Sequence, residues 1–129
     1  MKKLQIKTNA RNEIVDITLQ LQDYIAREKI ESGIIVVYSP HTTAGISVNE
    51  NADSDVKKDM NTFFAQIVPQ NYPFTHMEGN SDAHIKGSLV NFSQTFIIEN
   101  KKIQLGTWQG IFFMEFDGPR QREVWVKVV

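Results

Sequence analysis

Short runs of apolar, largely β-branched and aromatic residues, separated by turn residues, constrain the fold of this chain more than any other feature. The run Gly33–Tyr38 is continuous and ends at Ser39-Pro40, which predicts a buried strand. Gly110–Phe116 and Val124–Val129 flank the turn Asp117-Gly118-Pro119 and predict two more strands. A chain rich in such runs is expected to form a largely antiparallel β structure.

Further strands are predicted where apolar and polar residues alternate, or where a turn signal separates two apolar runs. These segments are Leu4–Thr8, Glu13–Ile17, Gly45–Asn49, Thr95–Ile98 and Lys102–Leu105, with the hairpin turn Glu99-Asn100-Lys101 between the last two.

Two segments have helical periodicity. Thr18 is the expected N-cap of a first helix with Leu21 and Ile25 on one face, and Gly33 suits its stop. A second helix is expected to open near Asp53, with acidic residues in its first turn, and to stop at Pro69. Its apolar residues are predicted to form a core-facing stripe. They are Val56, Met60, Phe63, Phe64, Ile67 and Val68.

After this helix, residues 71–82 are expected to be irregular, and residues 83–90 to form a short helix. The sum of these elements predicts the α+β class. We expect one compact domain, residues 1–129, with a β-sandwich-like, mostly antiparallel sheet core and two main helices packed on it.

Composition excludes several functional classes. The formal net charge of −1 leaves no basic stripe for nucleic acid. No apolar run is long enough to cross a membrane, and the N-terminus lacks the apolar region of a secretory signal. The absence of cysteine rules out disulfides, thiolate nucleophiles and cysteine-based zinc sites. We therefore expect a cytoplasmic protein whose partner is a small molecule.

The three histidines are the strongest candidates for chemistry, since imidazole is both a common metal ligand and an acid–base group near neutral pH. His41 follows a predicted buried strand and is followed by Thr42 and Thr43, whose hydroxyl and amide groups can hold an anion. The alternative is a histidine that is merely hydrogen-bonded in a turn.

His76 and His84 lie on either side of a short segment rich in oxygen ligands. If the loop bends both inward, they can join His41 in a three-histidine site with an open position for water. Such a set of ligands favours zinc over magnesium and manganese, and magnesium in particular prefers oxygen ligands. The alternative is a pair of exposed loop histidines without a common target.

Other candidates are weaker. Glu50 can serve as a general base or as a partner that orients an imidazole, or it can simply precede a helix. Trp108 can stack on a heteroaromatic ring and Gln109 can read its edge, or both can belong to a bulged strand. Arg120 and Arg122 can grip phosphate, or they can be part of a solvated hairpin.

Four sequence blocks, taken together, resemble one family. They are His41-Thr42-Thr43-Ala44-Gly45 running on to Glu50; Asn80-x-x-Ala83-His84 with Gly87-Ser88; Leu105-Gly106-Thr107-Trp108-Gln109-Gly110; and Glu115-x-Asp117-x-Pro119-Arg120. The chain is identified by them as a member of the YjbQ-like, or secondary thiamine-phosphate synthase, family. It departs from the family pattern at Lys101, where the hairpin usually has glycine, and at Ile97, where proline is frequent.

The resemblance implies a homotrimer of compact α+β subunits. It implies a functional site that uses His41 and His84, with His76 as its third histidine. If the protein is an enzyme, we expect catalytic roles for His41 and His84, with all three histidines as ligands of a divalent metal ion. The activity that the resemblance implies is the condensation of a pyrimidine diphosphate with a thiazole phosphate to give thiamine phosphate and pyrophosphate. A metal-dependent phosphate or ester hydrolase, and a non-catalytic trimer that binds a metal or metabolite, remain alternatives.

Overall fold

The chain, described here from residue 1 to residue 129 by a computed structural model, forms eight strands and three helices. In chain order these are β1 (Lys2–Lys7), β2 (Glu13–Asp16), α1 (Thr18–Arg27), β3 (Gly33–Tyr38), β4 (Ala44–Glu50), α2 (Ser54–Ile67), α3 (Ser81–Val90), β5 (Ser93–Glu99), β6 (Lys102–Ile103), β7 (Gln109–Glu115) and β8 (Gln121–Val128).

The strands form two sheets, and every pairing in them is antiparallel. One sheet has five strands in the order β1-β8-β3-β5-β6, and the other has three in the order β2-β7-β4. The predicted α+β class with an antiparallel sheet core is confirmed.

Strand β7 lies at the centre of the molecule, and both its faces are buried. Ile111 and Phe113 belong to the main core, which also includes side chains of the five-stranded sheet and of α1. Phe112 and Met114 point the other way, into a smaller cluster that involves α2 and α3. Burial on both faces explains why this segment reads as a continuous apolar run.

The register between β4 and β7 decides which loops meet. Ala44 pairs with Glu115 at one end of this strand pair, and Glu50 pairs with Gln109 at the other. Residues that precede β4 therefore lie beside residues that follow β7. Strands of this length span about 20 Å, so the two ends form separate regions of the surface.

Helix α1 differs from the sequence prediction at both ends. Thr18 is its first residue rather than its cap, and Asp16 accepts hydrogen bonds from the Thr18 amide and hydroxyl instead. The helix ends at Arg27, and Lys29 takes the left-handed conformation that was expected of a glycine. Gly33 instead begins β3, where a Cβ would lie 2.8 Å from the Val129 carbonyl oxygen.

Helix α2 begins as predicted, with the Asp53 side chain accepting from the Asp55 amide, but its predicted core-facing stripe is only partly correct. Met60 and Phe64 pack against the smaller cluster, whereas 60% of Phe63 is exposed. The predicted burial of β3 also holds for one face only, since Ile35 and Val37 are buried and Tyr38 is exposed.

Helix α3 has its polar face inward. On the buried face of the helix, Lys86 Nζ lies 3.2 Å from Asp82 Oδ2, and the two residues are only 2% and 1% exposed. Ile85 and Leu89 lie on the outer face, and 60% of Leu89 is exposed. No helix in the structure has the length and apolar character that a membrane span requires.

A buried ion pair joins the end of β7 to β8. Glu115 accepts hydrogen bonds from the Arg122 guanidinium, from the Thr8 hydroxyl and from the amides of Phe116 and Asp117. Burial alone would raise the pKa of Glu115, but the hydrogen bonds from Arg122 and Thr8 outweigh it and hold the pKa below its ordinary value.

We predict that Glu115→Gln destabilises the protein by about 3–5 kcal/mol at neutral pH, because Arg122 keeps a buried charge without a counterion. The pKa of Glu115 is lowered in the folded state, so its contribution is complete above the ordinary carboxyl pKa and is lost as the pH falls through the lowered value. Urea unfolding from neutral pH to pH about 3 measures both effects.

The exposed strand residue Glu99 provides the control, since Glu99→Gln leaves no buried charge behind. A Glu115→Gln protein as stable as wild type at neutral pH would contradict the prediction. A difference in unfolding free energy between wild type and Glu115→Gln that stays the same at every pH would also contradict it.

Candidate functional site

All three histidines line one cleft of about 480 Å³ at the end of the three-stranded sheet where β4 begins and β7 ends. Apart from Pro40, every residue that lines it has a polar or charged side chain. The lining residues are Pro40, His41, Thr42, Thr43, His76, Glu78, Asn80, His84, Asp117, Arg120 and Arg122. Three chain segments contribute: the turn before β4, the loop leading into α3 with the start of that helix, and the turn between β7 and β8.

His41 is held by the backbone of β8. Its Nε2 lies 2.9 Å from the amide nitrogen and 3.1 Å from the carbonyl oxygen of Glu123. Either neutral tautomer therefore has a backbone partner, and Nδ1 can present a lone pair or a proton to a ligand. Burial, together with the positive charge of Arg122, lowers the pKa of His41, so the ring is neutral near pH 7.

His76 and His84, which also line the cleft, form a neighbouring pair. Their ring centroids are 5.6 Å apart in an edge-to-face arrangement. Glu78 lies beside them, with its carboxylate 3.9 Å from Nε2 of His76. The long loop before α3 thus folds back on the helix and brings His76 next to His84. That the two histidines share a target with His41 stays a prediction.

Each of the two arginines forms an ion pair with a carboxylate, and each also lines the cleft. Arg122 uses Nε and Nη2 to bind Glu115, and Nη2 also donates to the Thr43 hydroxyl at 2.8 Å. Arg120 donates from Nη2 to the Asp117 carboxylate and from Nε to the Asp117 backbone carbonyl. These bonds leave Nη1 of both guanidinium groups, and the hydroxyl proton of Thr43, for a ligand.

A network of charged and polar side chains connects the chain segments that form the cleft. Arg11 donates to Asp82 at 3.0 Å and to Asp117 at 3.5 Å, and Asn80 donates to Asp117 at 2.9 Å. Because its side chain is directed to Asp117, Asn80 does not cap α3 with it, and its Oδ1 is buried without a partner. The start of α3, and His84 with it, is thereby fixed against the turn after β7.

Three of the predicted site residues lie elsewhere. Glu50, Trp108 and Gln109 belong to the opposite end of the β4–β7 pair. Glu50 accepts from the Ala52 amide, Gln109 accepts from the Gly106 amide, and 63% of Trp108 is exposed. In the single chain they serve local turns and do not reach the histidines.

The donor set does not form a metal centre as it stands. No group of three His, Cys, Asp or Glu side chains is arranged to hold an ion. Nε2 of His41 is engaged by Glu123, and Asp117 is engaged by arginines and Asn80. Zinc binding by His41, His76 and His84 stays a prediction.

Several residues of the site escaped the sequence analysis as candidates. Asn80 and Asp117 stand within the family-like blocks, so the blocks themselves could have indicated them. Arg11, Asp82 and Lys86 carry no such signal, because an ion pair inside a helix face looks the same in sequence as one on a solvated face.

Comparisons with known proteins identify the family of this chain and agree with its fold. Residues 2–129 match the family model described as UPF0047 protein YjbQ-like. A UPF0047 protein of Methanocaldococcus jannaschii is 60% identical, with 98% of this chain and 92% of the relative aligned. The UPF0047 protein YugU of Bacillus subtilis is 51% identical, with 100% and 98% aligned.

Among solved structures, an uncharacterized conserved YjbQ/UPF0047 family protein of Clostridium acetobutylicum superposes with a TM-score of 0.97. Its sequence is 46% identical, and the match covers 100% of both chains. The similarity therefore extends over the whole fold, including every segment that forms the cleft.

We predict that His41 titrates below the ordinary histidine value of about 6.5, since burial and Arg122 both disfavour its charged form. NMR titration of the imidazole protons measures this, with His41→Gln used to assign the signals. A midpoint at or above the ordinary value would show that the ring is more hydrated, or less affected by Arg122, than the structure indicates.

Proposed function

The chain belongs to the YjbQ-like UPF0047 family, and from its histidine cleft we propose that it is an enzyme acting on a small phosphorylated molecule, with its histidines as acid and base. The observation that carries this proposal is the convergence of all three histidines with Arg120 and Arg122 in one polar cleft. Guanidinium groups bind phosphate oxygens well, and imidazole transfers protons near neutral pH.

The simplest reaction these groups support is hydrolysis of a phosphate ester. Nη1 of Arg120 and of Arg122, with the Thr42 and Thr43 hydroxyls, bind the phosphate oxygens. In the neutral tautomer whose Nε2–H donates to the Glu123 carbonyl, His41 accepts a proton from water at Nδ1 as the water attacks phosphorus. As the ester P–O bond breaks, a protonated His84 or His76 donates a proton to the leaving oxygen.

Transfer to a second substrate, as in the thiamine-phosphate synthase reaction that the resemblance implies, would use the same phosphate contacts. In that reaction an acceptor molecule takes the place of water. This finer assignment stays a prediction. A non-catalytic binding protein is the remaining candidate, and it predicts ligand binding without turnover.

The test is phosphate release from a panel of phosphate monoesters by wild type, His41→Ala and His84→Ala. We expect each substitution to lower kcat/KM by about 10²–10⁴-fold, the usual range for an acid–base group. The wild-type rate is expected to fall at acid pH as His41 becomes protonated, below its ordinary pKa.

Matched controls are Glu50→Gln and Trp108→Ala, which lie at the other end of the sheet and are expected to keep wild-type rates. Arg120→Met is expected to weaken binding of inorganic phosphate, whereas His84→Ala retains most of it. Phosphate binding without turnover of any ester would favour the non-catalytic alternative, and the absence of phosphate binding would contradict the proposal altogether.

We also propose that the protein assembles as a homotrimer through the outer face of α2 and α3. Phe63, Ile67, Ile85 and Leu89 are exposed on this face, and Tyr72 of the following loop joins them. Exposed apolar patches of this extent are common at subunit interfaces. The buried ion pair of α3 supports the proposal, because it prevents the helix from rotating its apolar face inward.

Light scattering after size exclusion is expected to give three times the 14.8 kDa mass of one chain. Leu89→Lys is expected to produce monomers, since a charge would be buried in the interface. Leu19→Lys, on the exposed surface of α1, is the control and is expected to leave the assembly intact. A wild-type monomer, or a Leu89→Lys trimer, would disprove this interface.

A further inference from the structure

We propose that the ligand of the cleft is a phosphate ester of a hydroxyl-rich molecule, such as a sugar or another polyol, and not of an aromatic ring. This inference rests on the proposed phosphate-binding function. It concerns the part of the ligand that lies beyond the phosphate group, which the acid–base chemistry leaves open.

The walls of the cleft are the first argument. Ligand sites usually combine apolar and aromatic walls with a few polar groups. Here Pro40 is the only apolar side chain in the lining, although the volume of about 480 Å³ exceeds what a phosphate group occupies. An aromatic ring in the remaining space would cover polar side chains without forming hydrogen bonds to them, which is unfavourable.

Hydrogen-bond acceptors on the α3 side of the cleft are the second argument. Glu78 and Asn80, in the loop that leads into α3, bring oxygen atoms to the cleft, whereas the Asp117 carboxylate already accepts from Arg11, Asn80 and Arg120. Oδ1 of Asn80 has no hydrogen-bond partner, and amide torsions are broad enough for a small rotation to bring it to a ligand. A hydroxyl group satisfies such acceptors as a donor and can also accept from the neighbouring histidines.

The position of Trp108 is the third argument. This side chain was the candidate platform for a heteroaromatic ring, and it lies at the opposite end of β7. The nearest aromatic contact of the histidines is the edge-to-face packing of His41 on Phe113, which belongs to the buried core. Within one chain, no Phe, Tyr or Trp lines the cleft, and its only rings are the polar imidazoles of the three histidines.

The experiment compares ligands that share a phosphate group. Calorimetric titration of wild-type protein with inorganic phosphate, glycerol 3-phosphate, a pentose 5-phosphate, benzyl phosphate and a pyridylmethyl phosphate gives the affinities. We expect the two polyol esters to bind at least about tenfold more tightly than the two aromatic esters, the ratio that one or two net hydrogen bonds provide.

A smaller preference, or tighter binding of the aromatic esters, overturns this inference while leaving the phosphate-binding function in place. If no ligand binds, inorganic phosphate included, the proposed function itself fails and this inference fails with it. The two failures are therefore distinguishable in one series of titrations.

Two variants locate the hydroxyl contacts. Asn80→Ala and Glu78→Ala are expected to reduce the advantage of the pentose phosphate over benzyl phosphate. Glu78→Ala is expected to keep the affinity for inorganic phosphate within about twofold, because Glu78 does not contact either arginine. Glu78 lies on an exposed loop, so its variant tests the proposal even if Asn80→Ala disturbs the start of α3. Asp59→Asn, on the exposed surface of α2, is the matched control. An unchanged preference in both cleft variants contradicts the assignment.

Discussion

The buried carboxylate of Glu115 is the interaction on which the cleft depends. It stands at the last residue of β7 and is bound by Arg122 of β8 and by Thr8, just after β1. Arg122 in turn binds Thr43, the residue before β4. One charge pair thus holds together the segments that carry His41 and the two arginines. Its desolvation is offset only because both oxygens of the carboxylate are fully hydrogen-bonded.

A second network of charged residues fixes the position of α3 relative to the turn after β7. Lys86 and Arg11 enclose Asp82, and Arg11 and Asn80 connect the helix to Asp117. The helix consequently presents His84 to the cleft and leaves Leu89 on the outer surface. Placement of a site residue and exposure of an apolar face follow from the same buried charges. This connection links the proposed chemistry to the proposed assembly.

Much of the fold could be predicted from the sequence because the relevant signals are local. The apolar run of β7, the Asp53 cap of α2 and the hairpin at Asn100-Lys101 each depend on neighbouring residues. Both hairpin residues adopt positive φ, as a two-residue turn of this kind demands, even though the second is lysine. The prediction for Phe63 went wrong because periodicity reports an apolar face without saying what covers it.

The sequence by itself determined the strands, the helices and the inventory of three histidines and two arginines, since propensity and residue chemistry are properties of short segments. Only the tertiary structure decided which candidates meet. The register of β4 against β7 brought His41 and Arg122 to one end and sent Glu50 and Trp108 to the other. Register is set by long-range pairing and by burial of alternate side chains, which no local pattern in the chain contains.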